Sequence, residues 1–348
     1  MKNLILCVLA LFLSFPKGSA QVFSVHVSDG SDLYFSVTDT TKKTVKIVKP
    51  RLIDNTKLIL PSGSLKIPAS VKYKNAVYQV TSIGDNAFED ADQLTAVTIP
   101  STVSFIGKAA FSGCSNLTSI VFPAIRPTMG SDVFDKCYSI SDISFGSEWK
   151  SIELQLFASS VSLTSVFIPS RTVKITGVKQ LPHLQEINVD RNNPSFSTQD
   201  GILYSKDSKT LYACPISYKG RIAVPEGTEK ILDGAFRDCR YIVNVILPES
   251  VRELSFDEFS TCSSLSRIKL LSEVPPVTAK WEGASVFALM VSNPECLVYV
   301  PKNLLRKYRE SICSNEGTYE SLDGKRKITR EGNVFLTKSN IQKIKKNN

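Results

Sequence analysis

Cysteine is the reactive residue type that recurs in this chain at a fixed distance from another residue type. Cys114, Cys137, Cys239 and Cys262 each follow a phenylalanine by three positions. If the chain folds into stacked turns about 5 Å apart, Cys114 could form a disulfide with Cys137, and Cys239 with Cys262, provided that the side chains face each other. Cysteine is also a small buried apolar residue, and its recurring position favours that use. Seven cysteines follow residue 20, so at least one thiol stays unpaired within the chain.

Residue patterns for enzyme chemistry are scarce. The chain has two histidines, His26 and His183, which lie far apart in sequence, so neither a Ser-His nor a Cys-His device is expected. No Cys-x-x-Cys spacing indicates a zinc site. The sequence also lacks a Gly-x-Ser-x-Gly turn, a phosphate-binding loop and a dinucleotide-binding motif. We therefore predict a non-enzyme with no catalytic residues, no cofactor and no metal.

One cluster of oxygen-bearing side chains could bind calcium. Asp190, Asn192, Asn193 and Asp200 supply the carboxylate and amide oxygens that Ca²⁺ prefers. Their spacing does not match the calcium loop of an EF-hand. Because Asp and Asn also form turns by bonding to the nearby backbone, we interpret the cluster as turn-forming.

The elements that position these residues follow a repeat of 23 residues. A phenylalanine recurs at this interval in two runs, which are Phe88, Phe111, Phe134 and Phe157, then Phe236 and Phe259. One unit of this length cannot bury its own apolar face, but stacked units cover one another. The period lies in the range of leucine-rich repeats. We expect each phenylalanine to lie over the next one in the core of a solenoid.

Short strand-like segments that end at proline accompany the phenylalanines. They are LTAVTIP at 94–100, LTSIVFP at 117–123, LTSVFIP at 163–169 and IVNVILP at 242–248. Proline lacks the N–H needed to extend a ladder, so each strand should end there. The prediction is a leucine-rich-repeat solenoid: a parallel β-strand stack with loops and short helical turns, a β-rich N-terminal cap and a β-hairpin insert.

The repeat resembles a known family. Leu-x-x-Ile-x-Ile-Pro, followed by Val-x-x-Ile-Gly-x-x-Ala-Phe-x-x-Cys, is similar to the BspA-like leucine-rich repeats of Bacteroidetes and treponemes over about residues 65–300. The resemblance implies a surface-exposed or secreted protein that binds host proteins or other cells. It implies no catalytic residues.

The chain divides into four predicted regions. Residues 1–20 combine Lys2, an apolar run and small residues at 18–20, which is typical of a secretory signal peptide. Alternating apolar residues over 21–70 predict the β-rich cap. The solenoid should occupy 71–272, and 273–348 should form a closing unit with a basic tail. No transmembrane segment is expected, because no later stretch is long and apolar enough.

The repeat phase is interrupted between Phe157 and Phe236, which are 79 residues apart. Asp200-Gly201 and the polar run at 206–209 are turn sequences between alternating segments. We therefore predict a β-hairpin insert at about 190–222. An insert of this kind either carries a binding surface or serves as a spacer, and both roles stay open at this point.

Positive charge is concentrated at the C-terminal end. The formal net charge is +9, and residues 302–348 contain twelve Lys and Arg against five Asp and Glu. Residues 21–301 are neutral overall, so no nucleic-acid partner is expected. The basic end is either a solvated tail or a contact to an anionic surface.

Outward-facing strand residues form the predicted partner-binding surface. Alternate residues of a strand point to opposite faces, so stacked strands should present columns of outward side chains. The predicted site consists of Val121, Asp142, Ser144, Phe167, Glu186, Asn188, Asn244, Ile246, Arg267 and Lys269. We expect Val121, Phe167 and Ile246 to form an exposed apolar patch, which is typical of an interaction site, with Phe167 as the anchor.

These features predict an exported, adhesin-like scaffold that is secreted or on the cell surface, with the periplasm also possible as its location. The expected partner is an extracellular or host protein. The alternative is a carbohydrate-binding surface protein, since Trp149, Trp281 and numerous Tyr and Phe rings could form a platform for a glycan.

Overall fold

The structure is a computed structural model that divides into two compact units, Met1–Leu181 and Pro182–Asn348, here the N-terminal and C-terminal units. It describes residues 21–27, 30–49, 60–255, 257–277, 279–281, 284–286, 291–293, 296–301, 304, 318–320, 327–329 and 341–343. The predicted signal peptide and most of the predicted basic tail lie outside the described residues.

The described part of the N-terminal unit consists of short strands and two 3-10 helices. They are β1 (Val22–His26), β2 (Asp32–Asp39), β3 (Thr44–Val48), β4 (Gly63–Lys66), β5 (Ser70–Tyr73), β6 (Ala76–Ile83), β7 (Leu94–Thr98), β8 (Phe105–Ile106), β9 (Ser119–Val121), β10 (Thr128–Met129), β11 (Asp142–Ser144), β12 (Ser151–Glu153), η1 (Leu154–Phe157), β13 (Ser165–Ile168), β14 (Lys174–Thr176) and η2 (Val178–Gln180).

The first strands form a β-rich sheet that continues into the repeats. Strands β1, β2 and β3 pair antiparallel, and β3 then pairs in parallel with β6. The sheet runs on in parallel through β8 and β10. Phe23 and Phe35 are buried beneath it, and the ring of Phe23 stacks on Tyr73 at 4.0 Å. This segment covers the apolar end of the solenoid, as terminal repeats require.

Two parallel ladders in the N-terminal unit have a register of 23 residues. In the ladder β7–β9–β11, Val97 pairs with Ile120 and Ile120 with Ile143. In the second ladder, Ile83 pairs with Ile106 and Ile106 with Met129. One turn of the chain therefore equals one sequence repeat, and the predicted parallel solenoid is confirmed.

The repeated phenylalanines form a buried column of stacked rings. Ring centroids are 5.0 Å apart for Phe88–Phe111, 5.5 Å for Phe111–Phe134 and 5.1 Å for Phe134–Phe157. All four side chains are buried. Stacked pairs at such distances stabilise a core by about 0.5–1.5 kcal/mol each beyond the burial of apolar area. The expected stacking of each phenylalanine on the next is confirmed.

The glycines of the Ile-Gly pairs lie where neighbouring turns come closest. A Cβ added at Gly130 would lie 2.5 Å from the Lys108 nitrogen, and one at Gly84 would lie 2.7 Å from the Ile47 carbonyl oxygen. Cβ atoms do not fit at such distances, so the backbones can stack here only because glycine has no side chain.

The described part of the C-terminal unit consists entirely of strands and loops. The strands are β15 (Glu186–Val189), β16 (Phe196–Gln199), β17 (Ile202–Ser205), β18 (Thr210–Ala213), β19 (Gly220–Ala223), β20 (Lys230–Ile231), β21 (Ile242–Leu247), β22 (Arg267–Leu270), β23 (Ala279–Trp281), β24 (Ala284–Val286), β25 (Leu297–Val300), β26 (Thr318–Glu320), β27 (Lys327–Thr329) and β28 (Ile341–Lys343).

A parallel ladder also organises the C-terminal unit. It runs β19–β21–β22–β25–β28, and Ile222 pairs with Val245 and Val245 with Ile268 at the same 23-residue step. Beneath it, Phe236 and Phe259 stack at 5.4 Å. The repeat phase therefore resumes at Ile222, one repeat earlier than the phenylalanine spacing indicates.

Residues 190–222, predicted as a hairpin insert, contain three antiparallel strands and the start of the ladder. Strands β16, β17 and β18 pair antiparallel in sequence, and β18 then pairs in parallel with β20. Their side chains Ile202, Tyr204 and Leu211 are part of the core of the C-terminal unit. Strand β19 belongs to the ladder, because Ile222 lies in register with Val245.

Candidate binding surfaces

The strand face of the N-terminal unit carries four of the predicted partner-binding residues. Thr98, Val121 and Ser144 lie side by side in the ladder, and Phe167 follows Ser144 by one repeat. Val121 is 39% exposed and Phe167 is 51% exposed. Asp142 and Ser144 are also exposed, and Asp142 accepts a hydrogen bond from Ser119 at 3.2 Å. Two apolar side chains therefore project from an otherwise polar ladder.

The C-terminal unit carries the other six predicted residues. Glu186 and Arg267 are exposed, whereas Asn188, Asn244, Ile246 and Lys269 are half-buried. The prediction that Ile246 is an exposed member of the apolar patch is wrong. Ile246 lies between Ala223 and Lys269 in the ladder, and side chains at equal register on both sides restrict its contact with solvent.

Two outward positions of this ladder were missed from the sequence. Arg221 pairs with Asn244, and Ala223 pairs with Ile246. Both residues lie 23 positions before their partners, a signal that could have found them. They were overlooked because 190–222 was taken as one insert.

A cleft of about 560 Å³ lies in the C-terminal unit, next to Glu186 and Asn188. Besides these two residues, its lining consists of Gln185, Thr198, Asp200, Gly201, Tyr218 and Lys219. The lining comes from β15, from the β16–β17 turn and from the loop before β19. No spacing in the sequence indicates this cleft, because its walls come from three separate segments of the chain.

A family model of known proteins matches more than half of the chain. The BspA type leucine rich repeat region matches in six copies over residues 68–197 and 207–280. The chain belongs to the BspA-type leucine-rich-repeat family. The family resemblance of the repeat motif is therefore confirmed. A search of curated proteins finds no match.

Solved bacterial leucine-rich-repeat structures are similar to this chain at low identity. A leucine rich cell surface protein of Faecalibacterium prausnitzii is 21% identical, with 80% of this chain and 89% of that chain covered and a TM-score of 0.41. The pneumococcal vaccine antigen PcpA is 13% identical, with coverages of 83% and 96% and a TM-score of 0.48. A leucine-rich repeat protein of Bacteroides ovatus is 18% identical, with coverages of 80% and 79% and a TM-score of 0.42.

The recurring cysteine of these BspA-type repeats is a buried thiol. Cys114 donates to the carbonyl oxygen of Phe88 at 3.2 Å, and Cys137 donates to that of Phe111 at 3.1 Å. Each thiol thus links its turn to the preceding one. The six cysteines in the described part of the chain form no disulfide, so the proposed pairs are absent and the interpretation as buried apolar residues is confirmed.

The thiols of this core are poor nucleophiles. A hydrogen bond with Cys137, together with burial, raises the pKa of Cys114 far above its ordinary range. Burial raises the pKa of Cys296 to about 12. A thiol that stays protonated at neutral pH does not react as a thiolate.

The candidate calcium cluster forms turns. The Asp190 carboxylate accepts a hydrogen bond from the Asn192 backbone at 2.8 Å. Buried Asn193 accepts from the backbone N–H groups of Ser195 and Phe196, each at 2.8 Å. Within the described residues, no group of three His, Cys, Asp or Glu side chains is placed to hold a metal ion.

Trp149 is unavailable as an aromatic platform. It is 1% exposed, its ring lies 4.9 Å from that of Phe122, and its indole N–H donates to the Pro123 carbonyl at 3.1 Å. The expectation that Trp149 could contact a glycan is therefore wrong, because the ring fills the repeat core. The side chain of Trp281 lies outside the described residues. None of the described helices has the length and apolar character needed to cross a bilayer.

Proposed function

We propose that this BspA-type repeat chain is an exported, non-catalytic scaffold that binds an extracellular protein through the strand face of its N-terminal unit. The observation that carries the proposal is the exposure of Phe167 on a ladder held by backbone hydrogen bonds. Exposed aromatic side chains on rigid elements lose little conformational entropy when a partner covers them. Phe167 is thus the anchor of the proposed contact.

The surroundings of Phe167 fit the composition of a protein interface. Val121 adds apolar surface two repeats away in the same column, while Asp142, Ser144 and Ser165 are exposed polar neighbours on the face. An aromatic centre with a polar rim is the usual arrangement at contacts between proteins. Rings that are buried at such a centre contribute about 2 kcal/mol or more to binding.

The export part of the proposal rests on residues 1–20, whose Lys2, apolar run and small residues at 18–20 are typical of a signal peptide. If the segment is removed during export, N-terminal sequencing of protein from the cell surface or the medium should begin at Gln21. A chain that keeps Met1 and stays in the cytoplasm would contradict this part.

The binding part is tested by capture of extracellular host proteins with the mature chain, residues 21–348. The bait variants are Phe167→Ala and, as the matched control, Tyr138→Ala. Tyr138 is an aromatic residue of the same unit that is 48% exposed, close to the 51% of Phe167, and it lies in a turn rather than on the ladder. Circular dichroism melting checks that both variants fold like the parent.

A partner that survives high salt and binds the parent and Tyr138→Ala about 30-fold more tightly than Phe167→Ala supports the proposal. Equal affinity for all three baits would refute Phe167 as the anchor. Capture of only anionic material that high salt removes would place binding in the basic C-terminal segment instead.

A further inference from the structure

The parallel ladder of the C-terminal unit has a gap between β15 and β19. Ile187 in β15 and Ile222 in β19 are 35 residues apart, twelve more than one repeat. The described parts of β15 and β19 are not paired. Instead, the Ile187 N–H donates to the Gly201 carbonyl at 2.9 Å. Paired strands lie about 4.8 Å apart and leave no space between them, so the Asp200-Gly201 turn opens the cleft by occupying the pairing edge of β15.

Hydrogen bonds hold the walls of this cleft in place. The Thr198 hydroxyl donates to the Ile187 carbonyl at 2.6 Å. A Cβ on Gly201 would lie 2.9 Å from Cγ of Glu186 and 3.1 Å from its Cα, so the turn packs directly on the base of the Glu186 side chain. On the opposite wall, the Ser217 N–H donates to the Leu184 carbonyl at 3.0 Å. The cleft is therefore a fixed feature of the fold.

The cleft presents both hydrogen-bond donors and acceptors. Glu186 and Asp200 supply carboxylates, Gln185 and Asn188 supply amides, and Lys219 supplies an ammonium group. The side chains of Glu186 and Asn188 make no hydrogen bond or ion pair with other described residues, so their polar atoms are available to a ligand.

Tyr218 adds an aromatic wall and one further donor. Its ring is half-buried against the core of the unit. Burial, followed by the nearby Asp200 carboxylate, raises the pKa of Tyr218, which keeps its hydroxyl protonated at neutral pH. Lys219 is held on the other side, with its ammonium 6.0 Å from the ring centre of Tyr241.

We infer that this cleft binds one or two sugar residues of a neutral glycan. Neighbouring sugar hydroxyls both donate and accept, so they match carboxylates and amides placed side by side. The volume lies within the range of about 300–1,000 Å³ for small-molecule sites. Two carboxylates disfavour a phosphate or sulfate, and the predominantly polar lining disfavours an apolar ligand. This site lies in the C-terminal unit and is independent of the proposed Phe167 contact.

The test is a glycan array probed with the mature chain, residues 21–348, and carrying neutral, sialylated and sulfated oligosaccharides. The strongest neutral glycan is then titrated by calorimetry up to about 1 mM, a concentration that detects weak sugar affinities. The variants are Glu186→Gln and Asn188→Ala. The matched control is Asp142→Asn, which removes a carboxylate from the equivalent outward position of a regular repeat.

Binding of a neutral glycan that falls about tenfold or more in Glu186→Gln and also falls in Asn188→Ala, but persists in Asp142→Asn and Phe167→Ala, supports the inference. It is overturned if no neutral glycan binds at about 1 mM, or if the two cleft variants bind as the parent does. Binding confined to anionic glycans and abolished by salt overturns it too, because basic residues would then be the site.

Discussion

Replacing Phe134 with alanine should destabilise the N-terminal unit by about 4 kcal/mol, the middle of the range for a buried phenylalanine. Phe134 is fully buried between two rings, 5.5 Å from Phe111 and 5.1 Å from Phe157, and contacts Phe122 edge-on at 5.9 Å. The substitution removes two stacked pairs, each contributing about 0.5–1.5 kcal/mol beyond area burial. It also leaves a cavity, which stacked backbones can close only in part.

Fluorescence of Trp149 offers a direct assay for this unit. The chain contains two tryptophans, so a Trp281→Phe background leaves buried Trp149 as the only one. Urea unfolding changes free energy by about 1–3 kcal/mol per molar. The midpoint of the Trp149 transition should therefore fall by about 2 M in Phe134→Ala.

The matched control is Phe105→Ala in the same background. Phe105 is 42% exposed in the second ladder and stacks on no ring of the described residues, so its loss should cost less than about 1 kcal/mol. The reasoning fails if Phe134→Ala costs less than about 1 kcal/mol, or if the two variants lose equal stability. Either result would mean that the ring column does not hold the turns together.

Three further predictions concern backbone contact, a buried carboxylate and pH. Gly130→Ala should lose about 1–3 kcal/mol of unfolding free energy, measured by thermal melting, because its Cβ would lie 2.5 Å from the Lys108 nitrogen. Glu258→Leu should lose about 2–4 kcal/mol in urea unfolding and Glu258→Gln less, since this buried carboxylate accepts from the Gly234 N–H at 3.0 Å and from a second backbone N–H of that turn. Folding raises the pKa of Cys296 to about 12, so its contribution is complete below the unfolded value of about 8.5 and is lost as pH rises towards 12. Urea midpoints across that window should fall less steeply in Cys296→Ala, and an unchanged slope would contradict the assignment.

The sequence alone determined the architecture of the repeats. A repeat of 23 residues places residue i beside residue i + 23, so the ladder register, the ring column and the outward positions all follow from one interval. The pairing of Val97 with Ile120 and the stacking of Phe111 on Phe134 agree with that interval. The buried thiols follow as well, because a residue at a fixed distance from a core phenylalanine occupies the same environment in every turn.

The outward surface was only partly predictable. Alternation along a strand indicates which residues point away from the core, and Val121 and Phe167 are exposed as expected. Alternation does not specify the neighbours that flank each side chain. Ile246 is half-buried because β19 supplies a strand beside it, and the phenylalanine spacing did not reveal that strand.

Only the tertiary structure decided where the cleft lies and what lines it. Thr198, Gly201 and Tyr218 belong to segments outside the repeat phase, and they meet β15 through particular hydrogen bonds. Trp149 is similar, since its indole is buried by a hydrogen bond to Pro123 that no periodicity encodes. Periodic sequence determines contacts between equivalent positions of neighbouring turns. Contacts of non-repeated segments depend on how the chain leaves the ladder and returns, which is settled only when the turns pack.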